Sequence, residues 1–441
     1  MPEFLGLPAI LQLMNDQGCK QVFAKILSEN DNNKNQPYFG HGFEALNIFP
    51  ALNIYAELGK PHFKASLDYY WLDESGQQWK APNAQLILYP KYPEVRFSGF
   101  LKGCQHPPSV LMTQRLAGRV LFLGIRDDGK VLGYVVAPES EAAQKLRART
   151  ELNQAGVFLA IPATERADNQ TTKQILLDKL RDIHLSGWLD SVRLQSDGTT
   201  VECRSSNCGG YTLEAQLGIT PNGISEPDFL GWEVKQHGVK NFNNIGTEPI
   251  TLMTPEPQAG YYKEEGVIPF ILKYGYPDTK GREDRMNFGG IHIVGRQTSI
   301  TGLTMTLTGY DAIRGKIVDP QGGLELLDAK CVVAARWNFT DLMAHWNRKH
   351  AFAVYVPSLI RTTPSQSYAY GSIVRLGEGT DFLRFLKAMS DGDIYYDPGI
   401  KVENLSSGKP TTKRRSQFRI KSKNLGSLYS SFVNQNVLEQ E

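Results

Sequence analysis

Among the charged residues of the stretch from Gly209 to Gly238, GGYTLEAQLGITPNGISEPDFLGWEVKQHG, are Glu214, Asp228, Glu233 and Lys235. Crowding like charges is unfavourable unless a cation sits among them. Side chains alternate across a strand, so Glu233 and Lys235 project from one face. Asp228 falls at the start of that strand or in the turn before it. Two carboxylates converging beside an ammonium suit Mg²⁺, a hard ion that takes one or two carboxylates, several waters and a substrate phosphate oxygen. The carbonyl of Val234 could add another oxygen. Such an ion acidifies water and offsets charge on a phosphorus under attack. Lys235 would orient or deprotonate the attacking water, or steady the pentacovalent phosphate. Glu214, on a helix facing the strand, suits a supporting or second-ion role. The chemistry implied is phosphodiester hydrolysis. Glu-x-Lys alone also describes an ordinary ion pair on a solvated strand; here it occurs only once, at 233 to 235.

The elements around these residues fall into two styles. In the first third, QVFAKILS, HFKASLDYYWLD, AQLILYP, EVRFSGFL, RVLFLGIR and KVLGYVVAP are short β-branched or aromatic runs split by turn residues. Asp-Gly in RDDGKV predicts a tight hairpin. Strands at this spacing point to a small barrel or sandwich. ESEAAQKLRARTELNQ predicts a helix, and the polar segment 162 to 173 predicts a linker. Beyond it, QILLDKLRDIHLSGWL has apolar residues at helical spacing. TLEAQLG, FTDLMAHWNRKH and DFLRFLKAMSDG read as helices, and DFLGWEVKQ, GIHIVGRQ, GLTMTLTGY, CVVAARW and AFAVYVPS as strands. This intermixing predicts an α/β domain with a central sheet.

A length of 441 residues suggests two or three domains. Hydrophobic and charged contents of 41% and 21% fit a globular protein. There is no apolar run long enough to span a membrane, and the N-terminus has no basic, cleavable leader pattern. The five cysteines, 19, 104, 203, 208 and 331, are scattered and odd in number, which predicts reduced thiols in a cytoplasm of bacterial or archaeal type. Cys203 and Cys208 could share a metal, but no second close pair completes a zinc site. The net charge of +2 is unevenly spread: KPTTKRRSQFRIKSK, 409 to 423, carries seven Lys/Arg and no acid. Phe418 and Ile420 within it predict a folded strand or hairpin that offers cations to a phosphate backbone, against the plainer alternative of a solvated face. His345 and His350 are five apart, not the four that put two histidines on one helix face, which predicts core or surface roles. LGEGTD is too short for a phosphate loop, and Tyr69, Tyr70 and Trp71 read as core or rim.

YTLEAQLGITPNGISEPDFLGWEVK resembles the catalytic core of the MvaI/BcnI group of restriction endonucleases, relatives of the mismatch-repair nickase MutH that carry the PD-(D/E)xK metal-nuclease motif. The resemblance covers roughly 172 to 430 and includes MNFGGIHI, ARWNFTDLMAHWNRKHAFAVYV, GDIYYDPGIKVE and KRRSQFRIKSKNLGSLY. It implies an α/β PD-(D/E)xK nuclease domain over 166–441. Glu214, Asp228, Glu233 and Lys235 would be catalytic, Asp228 and Glu233 would hold Mg²⁺, and Lys413, Arg414, Arg415 and Arg419 would contact DNA. KILSENDNNKNQPYFGHGF, followed by YPEVRFSGF, resembles the effector domain of the EcoRII type, a mostly-β DNA-binding pseudobarrel, here over 1–165. That likeness places Ser28, Asn30, Asp31 and His41 on one groove-gripping arm and Glu94, Arg96 and Ser98 on the other. The loop DNNKNQPYF departs from the glycine-rich family version and also reads as an ordinary turn.

Together the two likenesses imply a Mg²⁺-dependent, two-site type II restriction endonuclease. It would cut double-stranded DNA at a short G·C-rich site, CC(A or T)GG, and bind a second copy of that site through its N-terminal domain. They also imply a monomer and a cognate DNA methyltransferase in the same host. A MutH-like strand-nicking repair endonuclease and a non-catalytic sequence-specific DNA-binding protein are the alternatives.

Overall fold

The computed structural model describes residues 5–29, 36–148, 154–161, 172–205, 207–221, 227–243, 246, 248–347 and 349–439. The chain divides into two compact units, Met1–Asn169 and Gln170–Glu441. Most of the expected linker, 162–171, lies outside the described residues.

The first unit is built on an eleven-stranded sheet. Its path runs Gln154–Ala155, Phe158–Ile161, Cys19–Leu27, Arg119–Arg126, Lys130–Val136, Phe63–Leu72, Gln85–Tyr89, Glu94–Ser98 and Tyr38–His41, and Ala51–Ala56 and Gln78–Lys80 both pair with Phe63–Leu72. Phe63–Leu72 shows why these segments become strands. Phe63, Ala65, Leu67, Tyr69 and Trp71 are buried while the residues between them are half-buried, a period of two. Gly129, at φ +80°, closes the hairpin between Arg119–Arg126 and Lys130–Val136. Phe39 packs against Phe49, Phe97 and Phe158 at centroid distances of 5.0 to 5.4 Å, an aromatic core. Tyr70 lies outside it, its ring beneath the ammoniums of Lys80 and Lys130.

The second unit has a central sheet ordered Leu189–Asp190, Ser367–Tyr370, Phe352–Arg361, Ile373–Glu378 and Ser431–Asn436. Glu233–Gly238 pairs with Phe352–Arg361 and is parallel to it, Glu233 opposite Ala353 and Lys235 opposite Tyr355. Residues 353 to 358 of that strand are all buried, as its nearly unbroken apolar run requires. The helix Thr172–Leu185 sets Leu176, Leu177, Leu180 and Ile183 into one core with Val234, Val354, Val356 and Tyr368. Smaller sheets complete the unit around Trp337, Tyr396 and Phe418, whose rings meet at 4.8 to 5.4 Å.

Four expectations change. The motif strand begins at Glu233 rather than Asp228, because Leu230 at φ +49° and Gly231 at φ +90° turn the chain between bridged Phe229 and Trp232. GIHIVGRQ forms isolated bridges through His292, Val294 and Gln297 instead of a strand; Gly290 and Gly295, both at positive φ, bend it out of pleat. The basic segment is not one hairpin. Thr411–Lys413 pairs with Gly399–Glu403, whereas Phe418–Lys421 lies between Pro249–Met253 and Ile394–Tyr396, drawn in by buried Ser416, Phe418 and Ile420. Finally, Cys203 and Cys208 are joined in a disulfide rather than left as reduced thiols, while Cys19, Cys104 and Cys331 are free. No helix among the described residues is long and apolar enough to cross a membrane.

Candidate active site

Three local structures bring charge to one end of the motif strand. The turn after Pro227 returns Asp228 to that strand, where its Oδ2 accepts a hydrogen bond of 3.0 Å from the Val234 N–H. The strand's alternation then sends Val234 into the apolar core and Glu233 and Lys235 to the other face. The helix Cys208–Gln216 carries Glu214 and packs close against the strand. A Cβ on Gly209 would come within 2.9 Å of the Gln236 side chain, so glycine permits the approach. Tyr370 fastens the start of this helix by donating to the Gly209 carbonyl at 2.7 Å.

The result is a cavity of about 410 Å³ lined by Glu214, Asp228, Glu233 and Lys235, together with Arg193, Tyr211 and Lys349. Glu233 is only 1% exposed, and its Oε1 lies 2.5 Å from the Lys235 ammonium. Its Oε2 is buried without a hydrogen-bond partner. Lys349 Nζ stands 3.5 Å from that oxygen and 3.9 Å from Asp228 Oδ1. Burial, aided by the charge of Asp228, pushes the Glu214 carboxyl up to about 7. Burial and the neighbouring Glu233 raise Asp228 to about 6. Burial works against the Lys235 ammonium, but Glu233 outweighs it and holds the group above its ordinary value. Two acids that resist ionisation beside a lysine held protonated mark a site short of positive charge.

The residues fit a divalent cation on that ground. Glu233 Oε2 is a buried acceptor with no hydrogen bond, Asp228 stands beside it, and a lysine ammonium occupies the position facing both. Among the described residues no group of three or more His, Cys, Asp or Glu side chains closes around a single point. A pair of carboxylates matches Mg²⁺, which keeps several waters and binds through one or two of them, and not a closed structural cage.

Further along the strand, on the face shared by Glu233 and Lys235, lies buried His237, which meets the guanidinium of Arg375 at 3.3 Å. Arg375 also donates to the carbonyl of Ser422, linking the motif strand to the end of the basic run. His350 is fully buried and stacked on Trp346 at 4.3 Å, as a core residue.

Outside the cavity, Lys413, Arg414 and Arg415 are exposed, Lys413 directly across from Lys401. Arg419 is instead held by Asp397 at 2.7 Å and reaches the Pro249 carbonyl. In the first unit, His41 pairs with Glu94 and Tyr38 with Arg96 across adjacent strands. Arg96 donates twice to Glu94, at 3.1 and 3.0 Å, and lies over the Tyr38 ring. Ser98 accepts from Gln36, and Ser28 is exposed at the end of Cys19–Leu27. Asn30 and Asp31 lie outside the described residues.

Lys349, Arg193 and Tyr211 carried no sequence signal. Lys349 sits in NRKH, which shows no motif spacing. It reaches the cavity because Glu233 pairs with Ala353, four residues beyond it. Arg193 is laid over Tyr211 at 4.8 Å, one helical turn before Glu214, so a search for i, i+3 partners of Glu214 would have found only the tyrosine.

The model of the MvaI/BcnI restriction endonuclease family matches residues 177–429. A solved complex of restriction endonuclease MvaI with cognate DNA substrate is similar at 18% identity and a TM-score of 0.46, over 60% of this chain and 98% of that one. Restriction endonuclease MvaI in the absence of DNA is similar at 16% identity and a TM-score of 0.33, again over 60% and 98%. No curated protein matches the chain.

Proposed function

Because the chain belongs to the MvaI/BcnI restriction endonuclease family, whose members are type II site-specific deoxyribonucleases, we propose that the cavity at Asp228, Glu233 and Lys235 is where it hydrolyses the DNA phosphodiester. The observation that carries this reading is the buried Oε2 of Glu233, which accepts no hydrogen bond and faces the Lys349 ammonium beside Asp228, with Glu214 and Lys235 lining the same cavity. Asp228 and Glu233 would hold Mg²⁺, which when bound supplies charge neutralisation at the phosphorus and acidifies water. Lys235, kept protonated by Glu233, donates hydrogen bonds that orient the attacking water and steady the oxygens gaining charge. Glu214, held up to about 7 by burial, supports the site as a partner for water or a second cation. Arg193, braced on the Tyr211 ring, offers its guanidinium to a phosphate oxygen.

The finer reading is a two-site enzyme. The second unit reads a short G·C-rich sequence of the CC(A or T)GG type, with Lys413, Arg414 and Arg415 contributing cations and Arg419 shaping the strand beside them. The first unit grips a second copy with Ser28, His41, Glu94, Arg96 and Ser98, working as a monomer alongside a cognate methyltransferase.

Incubation with a sequenced plasmid and Mg²⁺, with the product ends mapped, tests this directly. Site-specific linear product is expected from the parent and none from Lys235→Ala. Stable nicks would favour a repair nickase. A Lys235→Ala variant that cuts as fast as the parent would refute the site.

A further inference from the structure

The geometry points to Lys349 as a tethered counter-ion that fills the divalent-cation position of the free protein and must leave it when a metal enters. The inference rests on Asp228 and Glu233 as cation ligands, the reading given above. The two lysines of the cavity are not equivalent. Lys235 is committed to Glu233 Oε1 at 2.5 Å, so its place beside the motif is set by the strand that carries both residues. Lys349 faces the other oxygen, Oε2, at 3.5 Å, and also faces Asp228 Oδ1 at 3.9 Å. It therefore stands before the two oxygens that the pairing of Lys235 with Glu233 leaves over, Asp228 Oδ2 being occupied by the Val234 N–H.

Both distances are longer than a charge-assisted hydrogen bond, about 2.7–2.9 Å. Lys349 is thus held by the combined field of two carboxylates, with no single fixed partner, and with its side chain 24% exposed it has a way out. Its position in the chain suits this. It lies in the turn between the helix Phe339–Trp346 and the strand Phe352–Arg361, outside any regular ladder, so the ammonium can move without disturbing the strand. A flexible four-carbon stem carrying a compact charge is the side chain for such a task; an arginine fork would bind a carboxylate in two-point geometry and release it less readily.

An ammonium and a divalent ion cannot occupy one position, so the lysine competes with the metal. Without DNA, the competition weakens metal binding. Once displaced, the ammonium is available to the phosphate oxygens of a bound duplex.

The test is Mn²⁺ or Ca²⁺ titration of the full chain by calorimetry, without DNA, on the parent and on Lys349→Met, Lys349→Arg and Asp228→Asn. Lys349→Met should bind metal about tenfold more tightly than the parent, the order expected when a unit charge near 4 Å is removed from a partly screened site. Lys349→Arg should bind no more tightly than the parent, and Asp228→Asn should bind far more weakly. A distorted variant would lose metal affinity, so a gain cannot come from misfolding.

A second measurement uses the unmodified chain. The rate at which an amine-acylating reagent labels Lys349, followed by mass spectrometry, should rise when Ca²⁺ is added. If Asp228→Asn abolishes metal binding but Lys349→Met binds no tighter than the parent, or Ca²⁺ leaves the labelling rate unchanged, this inference is overturned while the site stands. If the parent binds no metal, or Asp228→Asn leaves its binding intact, both fall.

Discussion

Replacing Asp228 by asparagine should stabilise the metal-free protein while abolishing its cleavage of DNA. The side chain keeps its shape, and its amide oxygen can still accept from the Val234 N–H, so the substitution removes charge and little else. Asp228 is raised to about 6 by burial and by Glu233, against about 3.9 for an unfolded chain. The sign follows from linkage. Below about pH 4 the carboxyl is protonated in both states and imposes no penalty. As pH rises toward 6, the unfolded chain ionises first, and the folded state loses stability until its own carboxyl titrates. Above that the penalty is constant. At 1.36 kcal/mol per unit, a shift of about two units gives an upper bound of about 3 kcal/mol. Asp228 is 22% exposed and Glu214 shares part of the burden, so about 1–3 kcal/mol is the working range. For a unit of this size, that is a gain of several degrees in Tm, at roughly 2–4 °C per kcal/mol. The assay is thermal melting with a chelator present at pH 4, 6 and 8. The advantage of Asp228→Asn should be near zero at pH 4, full at pH 8, and reduced when Ca²⁺ replaces the chelator. A variant no more stable than the parent at pH 8, or equally advantaged at all three pH values, would refute the account of crowded, uncompensated charge.

Gly377→Ala should cost about 1–3 kcal/mol by overpacking, read as a lower melting temperature, since the added methyl would meet the buried Tyr429 ring at 2.5 to 2.7 Å. Asp381→Ala should cost about 1 kcal/mol, because its side chain caps the helix Phe382–Asp391 by accepting from the Arg384 N–H at 2.9 Å; urea denaturation would measure it. Arg96→Ala should lower the affinity of the first unit for DNA, leaving single-site cleavage by the second unit in place, as gel-shift and cleavage assays on one-site and two-site substrates would report. Neutralising Lys413, Arg414 and Arg415 together should weaken DNA binding across sequences and flatten its salt dependence by up to about 3 in the log–log slope. A slope unchanged from the parent would exclude these residues as phosphate contacts.

Much of this molecule was legible in advance. The aromatic-rich run HFKASLDYYWLD announced a strand, and Asp-Gly announced the hairpin between Arg119–Arg126 and Lys130–Val136, because both depend on local backbone geometry. The pairing of Glu233 with Lys235 on one face followed from the two-residue repeat of any strand. Local pattern failed where backbone conformation was set by neighbours. GIHIVGRQ looks like a strand, but glycines at positive φ and a buried His292 make it an irregular crossing. The basic run read as a single strand or hairpin, yet each half found its partner in a different sheet.

What the sequence determined by itself is the chemistry on offer: an acid and an amine at strand spacing, a second acid just ahead of them, a third on a nearby helix, and a separate β-rich unit upstream. Only the tertiary structure decided which charges meet. The parallel register of Glu233 against Ala353 brings Lys349 to the two carboxylates, and close packing of the Gly209 helix brings Glu214. Such encounters are settled by which distant strands pair and in what register, a choice made by burying whole apolar faces together, and no local spacing encodes it.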